Sequence, residues 1–181
     1  MDVPDWIKKE NWNYWIQEAR KEAEKSPCLR MKFGSIIIKE GKELGRGHNR
    51  PPYEACEECM REVGRIPPRI RAEACYAFHA EQWATVNALK KGNDVEGSVL
   101  VIAGFNPKKS GTVIYNRFTC TLCSRTIAAA GVMGMIALGP EGPKYKTTRQ
   151  AFDEAYAVQE EIVRNGIKTE DGLEKLLKKR K

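Results

Sequence analysis

Apolar residues follow two different periods along the chain, and these periods predict helices and strands in turn. Near the N-terminus they recur at helical spacing up to Ser26-Pro27, which predicts an amphipathic helix with Trp12, Trp15, Ile16, Ala19 and Ala23 on its apolar face. The β-branched run Ile36-Ile37-Ile38 predicts a buried strand over 33–39, with a hairpin partner over 43–48.

The same alternation continues through the rest of the chain. Further helices are predicted over 75–91, 120–130 and 150–165, with a short one around Leu173, Leu176 and Leu177. Further strands are predicted over 98–103, 112–118 and 133–138. Strands that alternate with helices indicate one α/β domain over 1–181, a three-layer α/β/α sandwich. Residues 1–26 form its N-terminal helical part, and residues 167–181 a basic C-terminal extension.

Composition narrows the class of protein. A chain of 181 residues suits a single domain. No apolar run approaches the about 18 residues that span a bilayer, and the N-terminus lacks the pattern of a secretory signal, so we expect a cytoplasmic protein without a membrane partner. The net charge of +7 favours an anionic partner, either a nucleotide phosphate or a nucleic acid, although Lys178–Lys181 also reads as a solvated tail.

Four residues predict a catalytic zinc site. His79 and Glu81 form a His-x-Glu motif, and Cys120 and Cys123 form a later Cys-x-x-Cys motif. One imidazole and two thiolates suit tetrahedral zinc with one position left for water. Zinc makes hydroxide available at pH 7, which would attack a ring carbon that carries an amine, while Glu81 moves the protons. The alternatives are a structural zinc or no metal.

With these motifs the chain resembles the cytidine/deoxycytidylate deaminase superfamily, and within it the deoxycytidylate (dCMP) deaminases. The resemblance runs from about Cys28 to Gly166. Ser26-Pro27-Cys28-Leu29-Arg30 resembles the family's entry to its first strand, and Gly45-Arg46-Gly47-His48-Asn49 its Gly-x-Asn turn. The resemblance to this family implies a mixed sheet of about five strands between helices and assembly into homo-oligomers. It also implies that Asn49 and Ala80 contact the substrate.

The chain departs from the family pattern at three places. Thr119 stands where the family usually has proline, and Asn49 is followed by Arg50-Pro51-Pro52 instead of glycine. The family joins its two motif helices with one strand, whereas this chain has two predicted strands there. Because 112–115 matches the family strand better, we expect 98–103 to be an inserted strand.

The remaining cysteines predict a second, structural zinc. Segment 49–71 is rich in proline and charged residues, which predicts a long loop. Such a loop needs an interaction other than apolar packing to hold it in place. Cys28, Cys56, Cys59 and Cys75 make a Cys₄ set of the structural type, with His48 as an alternative to Cys28. In the alternative interpretation, Cys28 and Cys75 are small buried hydrophobic residues.

The sequence leaves the substrate open. Arg30, Arg46 and Arg50 are candidates to bind a phosphate, and the aromatic or amide side chains Phe78, Tyr115, Asn116 and Phe118 are candidates to pack on a base. Three hypotheses follow. The chain deaminates a free nucleotide, dCMP to dUMP; it deaminates a polynucleotide or another small heterocycle; or it is a non-catalytic zinc module that binds nucleic acid, which leaves Glu81 without a role.

Overall fold

The computed structural model describes residues 3–53, 56–66, 72–109, 111–113, 115 and 118–164. Its α-helices are α1 (Trp12–Glu24), α2 (Met60–Val63), α3 (Ala80–Lys90), α4 (Thr121–Ala129) and α5 (Thr148–Arg164). Its strands are β1 (Lys32–Lys39), β2 (Lys42–His48), β3 (Val99–Phe105), β4 (Gly134–Gly139) and β5 (Gly142–Thr147).

The five strands form one mixed sheet in the order β2-β1-β3-β4-β5. β3 and β4 run parallel, and the other neighbouring pairs are antiparallel. In the centre of the sheet, Val101 of β3 lies between Ile36 of β1 and Ile136 of β4. The crossover from β3 to β4 carries α4, as a parallel pair requires.

Alternate residues of the central strands enter two separate cores, one on each face of the sheet. On one face, the strand residues Ile36, Ile38, Val99, Val101 and Ile136 pack with Trp12 and Ile16 of α1. On the other face, Ile37, Leu100, Ile102 and Met135 pack with Ala84, Ala88, Ile127 and Ala151 from α3, α4 and α5. The predicted three-layer α/β sandwich is therefore confirmed.

Edge strand β2 and helix α3 lie unusually close together. A Cβ atom at Gly45 would lie 2.6 Å from Ala88 N, and one at Gly47 would lie 2.6 Å from Ala84 N. Two amides on this side hydrogen bond to the strand: Asn87 Nδ2 donates to Arg46 O (2.9 Å) and Asn93 Nδ2 donates to Leu44 O (2.7 Å). The two glycines thus allow the strand to fix the position of the helix.

The predicted strand over 112–118 is wrong for the part that the structure describes. Thr112, Val113, Tyr115 and Phe118 lie in no strand, and β3 (Val99–Phe105) is the central strand instead of an insertion. The Val113 N–H donates to Gly104 O (2.7 Å) and the Tyr115 N–H donates to Leu138 O (2.8 Å). The segment therefore crosses from the end of β3 to the end of β4.

Two elements were not predicted. β5 is an edge strand with half-exposed residues and Pro143, so it shows no apolar alternation. α2 is a single helical turn inside the predicted loop. The predicted helix around Leu173 and the tail Lys178–Lys181 lie outside the described residues. Within the described residues, no helix has the length and apolar character that crossing a membrane requires.

Candidate active site

The two sequence motifs meet because each lies at the start of a helix on the same face of the sheet. His79 is the N-cap of α3 and Cys120 is the N-cap of α4, and both have extended backbone. Phe78 is held by reciprocal backbone hydrogen bonds with Arg50 (3.1 and 2.9 Å). Phe78 is thus held in an extended pairing, and α3 begins at Ala80 instead of at the predicted Cys75.

Three side chains converge on one point. His79 Nδ1 lies 3.2 Å from Cys123 Sγ and 3.3 Å from Cys120 Sγ. Nδ1 carries at most one proton, so it cannot donate a full hydrogen bond to both sulfur atoms. Two ligands of a tetrahedral zinc are expected to lie about 3.5 Å apart, so the geometry fits a shared metal ion. In the described residues, this is the one group of at least three potential ligand atoms within 4.8 Å of each other.

The protonation of these groups also suits a metal. Hydrogen bonding from Cys123 and His79 lowers the pKa of Cys120 to about 4 despite its burial. Burial would lower the pKa of His79, but hydrogen bonds with Cys120 and Cys75 outweigh it and raise the pKa to about 10. Burial raises the pKa of Cys123. These shifts favour a thiolate at Cys120 beside a protonated His79, and a metal ion would displace that proton.

Glu81 lies beside the three candidate ligands and is not part of that group. It is 5% exposed, and burial raises the pKa of its carboxyl group. The Thr119 hydroxyl faces it, with Oγ1 3.5 Å from Glu81 Oε1. A buried carboxyl group next to a metal site can accept and return a proton without leaving its position.

The predicted substrate residues occupy different surroundings. Asn49 is buried, and its side chain accepts a hydrogen bond from Phe33 N–H (2.7 Å) and donates one to Met31 O (2.8 Å). Ala80 is fully buried in the first turn of α3. Phe118 packs in the core with Tyr115, and Asn116 lies outside the described residues. Asn49, Ala80 and Phe118 stay predicted substrate residues.

The three candidate arginines also differ. Arg46 is engaged with carboxylates, above all Glu43, with Glu18 and Glu22 nearby. Arg50 lies over the ring of Trp83, 5.8 Å from its centroid, and Phe78 stacks on the same ring. Arg30 is half-buried in the segment before β1.

The other four cysteines are neighbours, but they are not at coordination distance. All six cysteines of the chain are free thiols. Burial raises the pKa of Cys28 to about 11, and the charges of Cys75, Cys56 and Cys59 add to this effect. Cys75 also hydrogen bonds to the ring of His79, which lowers the pKa of the Cys75 thiol. His48 Nδ1 instead donates to Glu22 (2.8 Å), so Cys28 fits the set better.

Sequence reasoning missed two contacts of this site. Gln82 Oε1 accepts the His79 N–H (3.1 Å). Its position three residues after the N-cap is the signal of a capping box and could have identified it. Thr119 was noted only as a replacement for proline, and no sequence pattern indicates that its hydroxyl reaches Glu81.

A family model described as "Cytidine and deoxycytidylate deaminase zinc-binding region" matches residues 9–138. The chain is 29% identical over 139 residues to deoxycytidylate deaminase of Mycobacterium phage D29, covering 73% of this chain and 93% of the relative. It is 27% identical over 169 residues to a tRNA-specific adenosine deaminase of Streptococcus pyogenes serotype M18 (strain MGAS8232), covering 91% of this chain and 82% of the relative.

The fold is shared with solved structures, of which two are described here by their likeness to this chain. One is dCMP deaminase from the cyanophage S-TIM5 in complex with dCMP and dUMP, with a TM-score of 0.55 and 24% identity over 82% of this chain and 94% of that chain. The other is cytidine deaminase from Burkholderia pseudomallei, with a TM-score of 0.51 and 14% identity over 80% of this chain and 96% of that chain. Both likenesses concern the fold alone.

Proposed function

The chain belongs to the cytidine and deoxycytidylate deaminase family, and on this premise we propose that it converts dCMP and water to dUMP and ammonia. It is a zinc-binding deaminase, hence a hydrolase. The observation that carries the proposed reaction is the convergence of His79, Cys120 and Cys123 beside the buried carboxyl group of Glu81.

Each residue of the site has a role in this reaction. His79, Cys120 and Cys123 would hold zinc, which supplies a water acidified toward neutral pH. Glu81 takes a proton from the attacking water, delivers it to the ring nitrogen of the base, and assists the departure of ammonia. Thr119 holds the carboxyl group of Glu81, and the hydrogen bond from His79 N–H to Gln82 holds the start of α3.

Replacement of Glu81 tests the role of the carboxyl group. Glu81→Gln keeps the shape of the side chain and removes the proton carrier, so kcat should fall about 100- to 10,000-fold. Zinc content, measured by mass spectrometry of the metal, should be unchanged. The control Glu96→Gln removes an exposed carboxylate and should leave both quantities unchanged. Full activity of Glu81→Gln would exclude this mechanism.

The choice of dCMP is supported by the phage deoxycytidylate deaminase, which the chain matches over 73% of its length. Ammonia release should be measured with dCMP, deoxycytidine, cytidine, dCTP and guanine. We expect the highest kcat/KM for dCMP. A higher value for any other member of this panel would replace dCMP as the substrate and leave the deaminase chemistry intact.

A polynucleotide substrate is the second candidate. Similarity to a tRNA-specific adenosine deaminase extends over 91% of this chain, and the net charge of +7 suits a polyanion. The substrate panel should therefore include a tRNA and single-stranded oligonucleotides that contain cytosine or adenine. Deamination of these with no turnover of dCMP would favour the second candidate.

We also propose a second, structural zinc bound by Cys28, Cys56, Cys59 and Cys75. Two observations support this proposal. The thiols lie near enough for their charges to affect one another, and α2 has no buried side chain that could hold it by apolar packing. A metal at this cluster would draw the four thiols together and hold residues 56–66 against the start of β1.

Metal content tests the second zinc. The wild-type protein should contain two zinc ions per chain, and Cys59→Ser should contain one. Cys59→Ser should lose the structural zinc and keep the catalytic one. Cys123→Ser is the matched variant, which should lose the catalytic zinc and, with it, the activity. One zinc per chain in fully loaded wild-type protein would remove the proposal.

We further propose that the chain works as a homo-oligomer in the cytoplasm. Free thiols suit a reducing compartment. Phe78 is 43% exposed and stacks on Trp83, which leaves an apolar surface beside the active site. Trp12 is buried in the core of its own chain, so it is not part of this surface. Light scattering should give a molar mass above 20.5 kDa.

A further inference from the structure

An aromatic surface lies immediately beside the candidate metal site. Phe78, the residue before His79, is exposed, and its ring stacks on that of Trp83, with the centroids 5.6 Å and the planes 12° apart. Trp83 is half-buried near the start of α3, where its N–H donates to His79 O (3.0 Å). The stacked pair therefore begins one residue away from a candidate metal ligand.

The main chain that carries Phe78 is fixed before any ligand arrives. Its N–H donates to Arg50 O (2.9 Å) and its carbonyl group accepts the Arg50 N–H (3.1 Å), and the chain then continues directly into α3. A ring that is already stacked on a fixed main chain loses little freedom when another flat ring is placed on it. The exposed part of Phe78 is thus prepared for a stacking partner.

Two cations stand over the ring of Trp83. Arg50 Cζ lies 5.8 Å from its centroid and Lys90 Nζ lies 5.4 Å from it. Arg50 Nε also donates to Pro51 O (3.4 Å), and among the described residues neither cation takes part in an ion pair. Both positive charges therefore lie beside the aromatic pair, where they attract phosphate groups.

Aromatic rings beside cations are the arrangement with which proteins bind single-stranded nucleic acid. Every base has a flat face that stacks on an aromatic ring, and the cations follow the phosphates of the strand. Tyr76, two residues before Phe78, and Tyr53, three residues after Arg50, are exposed as well. A second copy of the chain is the other possible occupant, but interfaces between proteins are depleted in lysine, and Lys90 lies over this surface.

We propose that Phe78, Trp83, Arg50 and Lys90 form a binding surface for single-stranded nucleic acid. A base of the strand stacks on the exposed face of Phe78, and Arg50 and Lys90 bind neighbouring phosphates. This inference goes beyond the proposed reaction, since it concerns a nucleotide beside the metal site and not the base that reacts. A mononucleotide substrate neither requires nor excludes this surface.

The first test measures binding of a fluorescent oligothymidylate of about ten nucleotides by anisotropy. Thymine carries no exocyclic amine, so binding is separated from deamination. Phe78→Ala should weaken binding about 5- to 150-fold, as for the loss of one stack between a base and an aromatic ring. Phe78→Tyr should retain binding. Tyr14→Ala removes an exposed ring of α1, on the other side of the sheet from α3, and is the matched control that should not change binding.

Salt dependence tests the two cations. A bound single strand releases counterions, so each phosphate contact adds about 0.7 to the slope of log affinity against log salt concentration. Arg50→Gln and Lys90→Gln should each reduce the wild-type slope by about this amount. Lys21→Gln, which removes an exposed lysine of α1, should leave the slope unchanged. Lys90 is exposed at the end of α3, so its variant should fold even where Phe78→Ala does not.

Three results would overturn the proposal. The first is no binding of oligothymidylate by wild-type protein at low salt. The second is an equal loss in Phe78→Ala for a strand of the same length with abasic sites, which has no base to stack. The third is a lower molar mass of Phe78→Ala in light scattering, which would assign the surface to a second copy of the chain.

The binding surface and the proposed reaction can fail separately. If strand binding depends on Phe78 and dCMP is not deaminated, the binding surface stands and the proposed reaction fails. Turnover of dCMP without strand binding has the opposite meaning. If the strand does bind here, the proposed homo-oligomer uses another surface of the chain.

Discussion

At the scale of single residues, Thr119 connects the two halves of the active site. It precedes Cys120, a proposed metal ligand, and its hydroxyl lies 3.5 Å from the carboxylate of Glu81 on the other motif helix. A hydroxyl at this position can orient the carboxyl group, which a proline cannot do. We therefore propose that Thr119 is a positioning residue, in a chain that departs here from the usual family pattern.

Removal of this hydroxyl should slow the reaction without loss of metal. Thr119→Val keeps the shape of the side chain, and we expect kcat to fall about twofold to tenfold, equivalent to about 0.5–1.5 kcal/mol. Thr119→Ser keeps the hydroxyl and should retain most of the activity. Steady-state kinetics with measured zinc content would check both variants, and equal kcat values in the two would contradict the role of the hydroxyl.

The convergence of the proposed metal ligands could be predicted from the sequence because their chemistry depends on residue types at short spacing. His79, Cys120 and Cys123 do meet, and Glu81 lies beside them. The contacts of Asn49 with the main chain before and within β1 could not be predicted, since they depend on how the β1–β2 hairpin pairs.

At the scale of elements, the β2–α3 contact sets the position of the catalytic helix. A Cβ atom at Gly47 would lie 2.6 Å from Ala84 N and 2.7 Å from Trp83 C, both main-chain atoms of α3. The strand cannot accept a larger residue here unless the helix that follows His79 moves. The glycines of β2 thus help to set the position of the helix that follows His79, although they make no contact with the site itself.

Gly47→Ala should therefore reduce both stability and activity. We expect the free energy of unfolding to fall by about 1–3 kcal/mol, as for other overpacked sites. The control Gly139→Ala first meets the flexible side chain of Lys144, so it should cost less. Urea unfolding of both variants measures the difference, and equal losses would show that the close contact with α3 is unimportant.

Most elements could be predicted from the period of their apolar residues, and the exceptions have physical causes. β1, β3 and β4 are buried strands, and their apolar runs show this directly. The segment around Val113 and Tyr115 has the composition of a strand, but it makes single hydrogen bonds to the ends of two strands instead of joining the sheet. The strand-like composition of this segment is explained by the burial of Tyr115. Sequence alone cannot distinguish a buried segment of this kind from a strand that pairs with the sheet.

At the scale of the whole molecule, stability should depend on a buried carboxylate between α1 and β2. Glu22 is 4% exposed and accepts hydrogen bonds from His48 Nδ1 (2.8 Å) and Lys25 Nζ (2.7 Å). Burial would raise the pKa of Glu22, but these hydrogen bonds lower it below 4.5. A lowered pKa in the folded state adds stability above pH 4.5, and this stability is lost as the pH falls through the folded pKa.

Glu22→Gln should lower the free energy of unfolding at pH 7 by about 1–3 kcal/mol. The difference from wild type should shrink as the pH falls from about 5 to about 3, where the wild-type carboxylate also becomes neutral. Glu24→Gln removes a more exposed carboxylate of α1 and is the control at each pH. Any stability lost at low pH because metal is released should be the same in this control. A difference that stays constant with pH would contradict the role of the charge.

The hydrogen bonds from Asn87 and Asn93 to β2 have a consequence for the behaviour of concentrated protein. An edge strand with free carbonyl groups is a template for pairing with another molecule. On β2, the carbonyl groups of Arg46 and Leu44 already accept the two side-chain amides. The opposite edge, β5, carries Pro143, Lys144 and Lys146, which disfavour strand addition. Both borders of the sheet thus resist intermolecular β-pairing and the fibrils that grow from it.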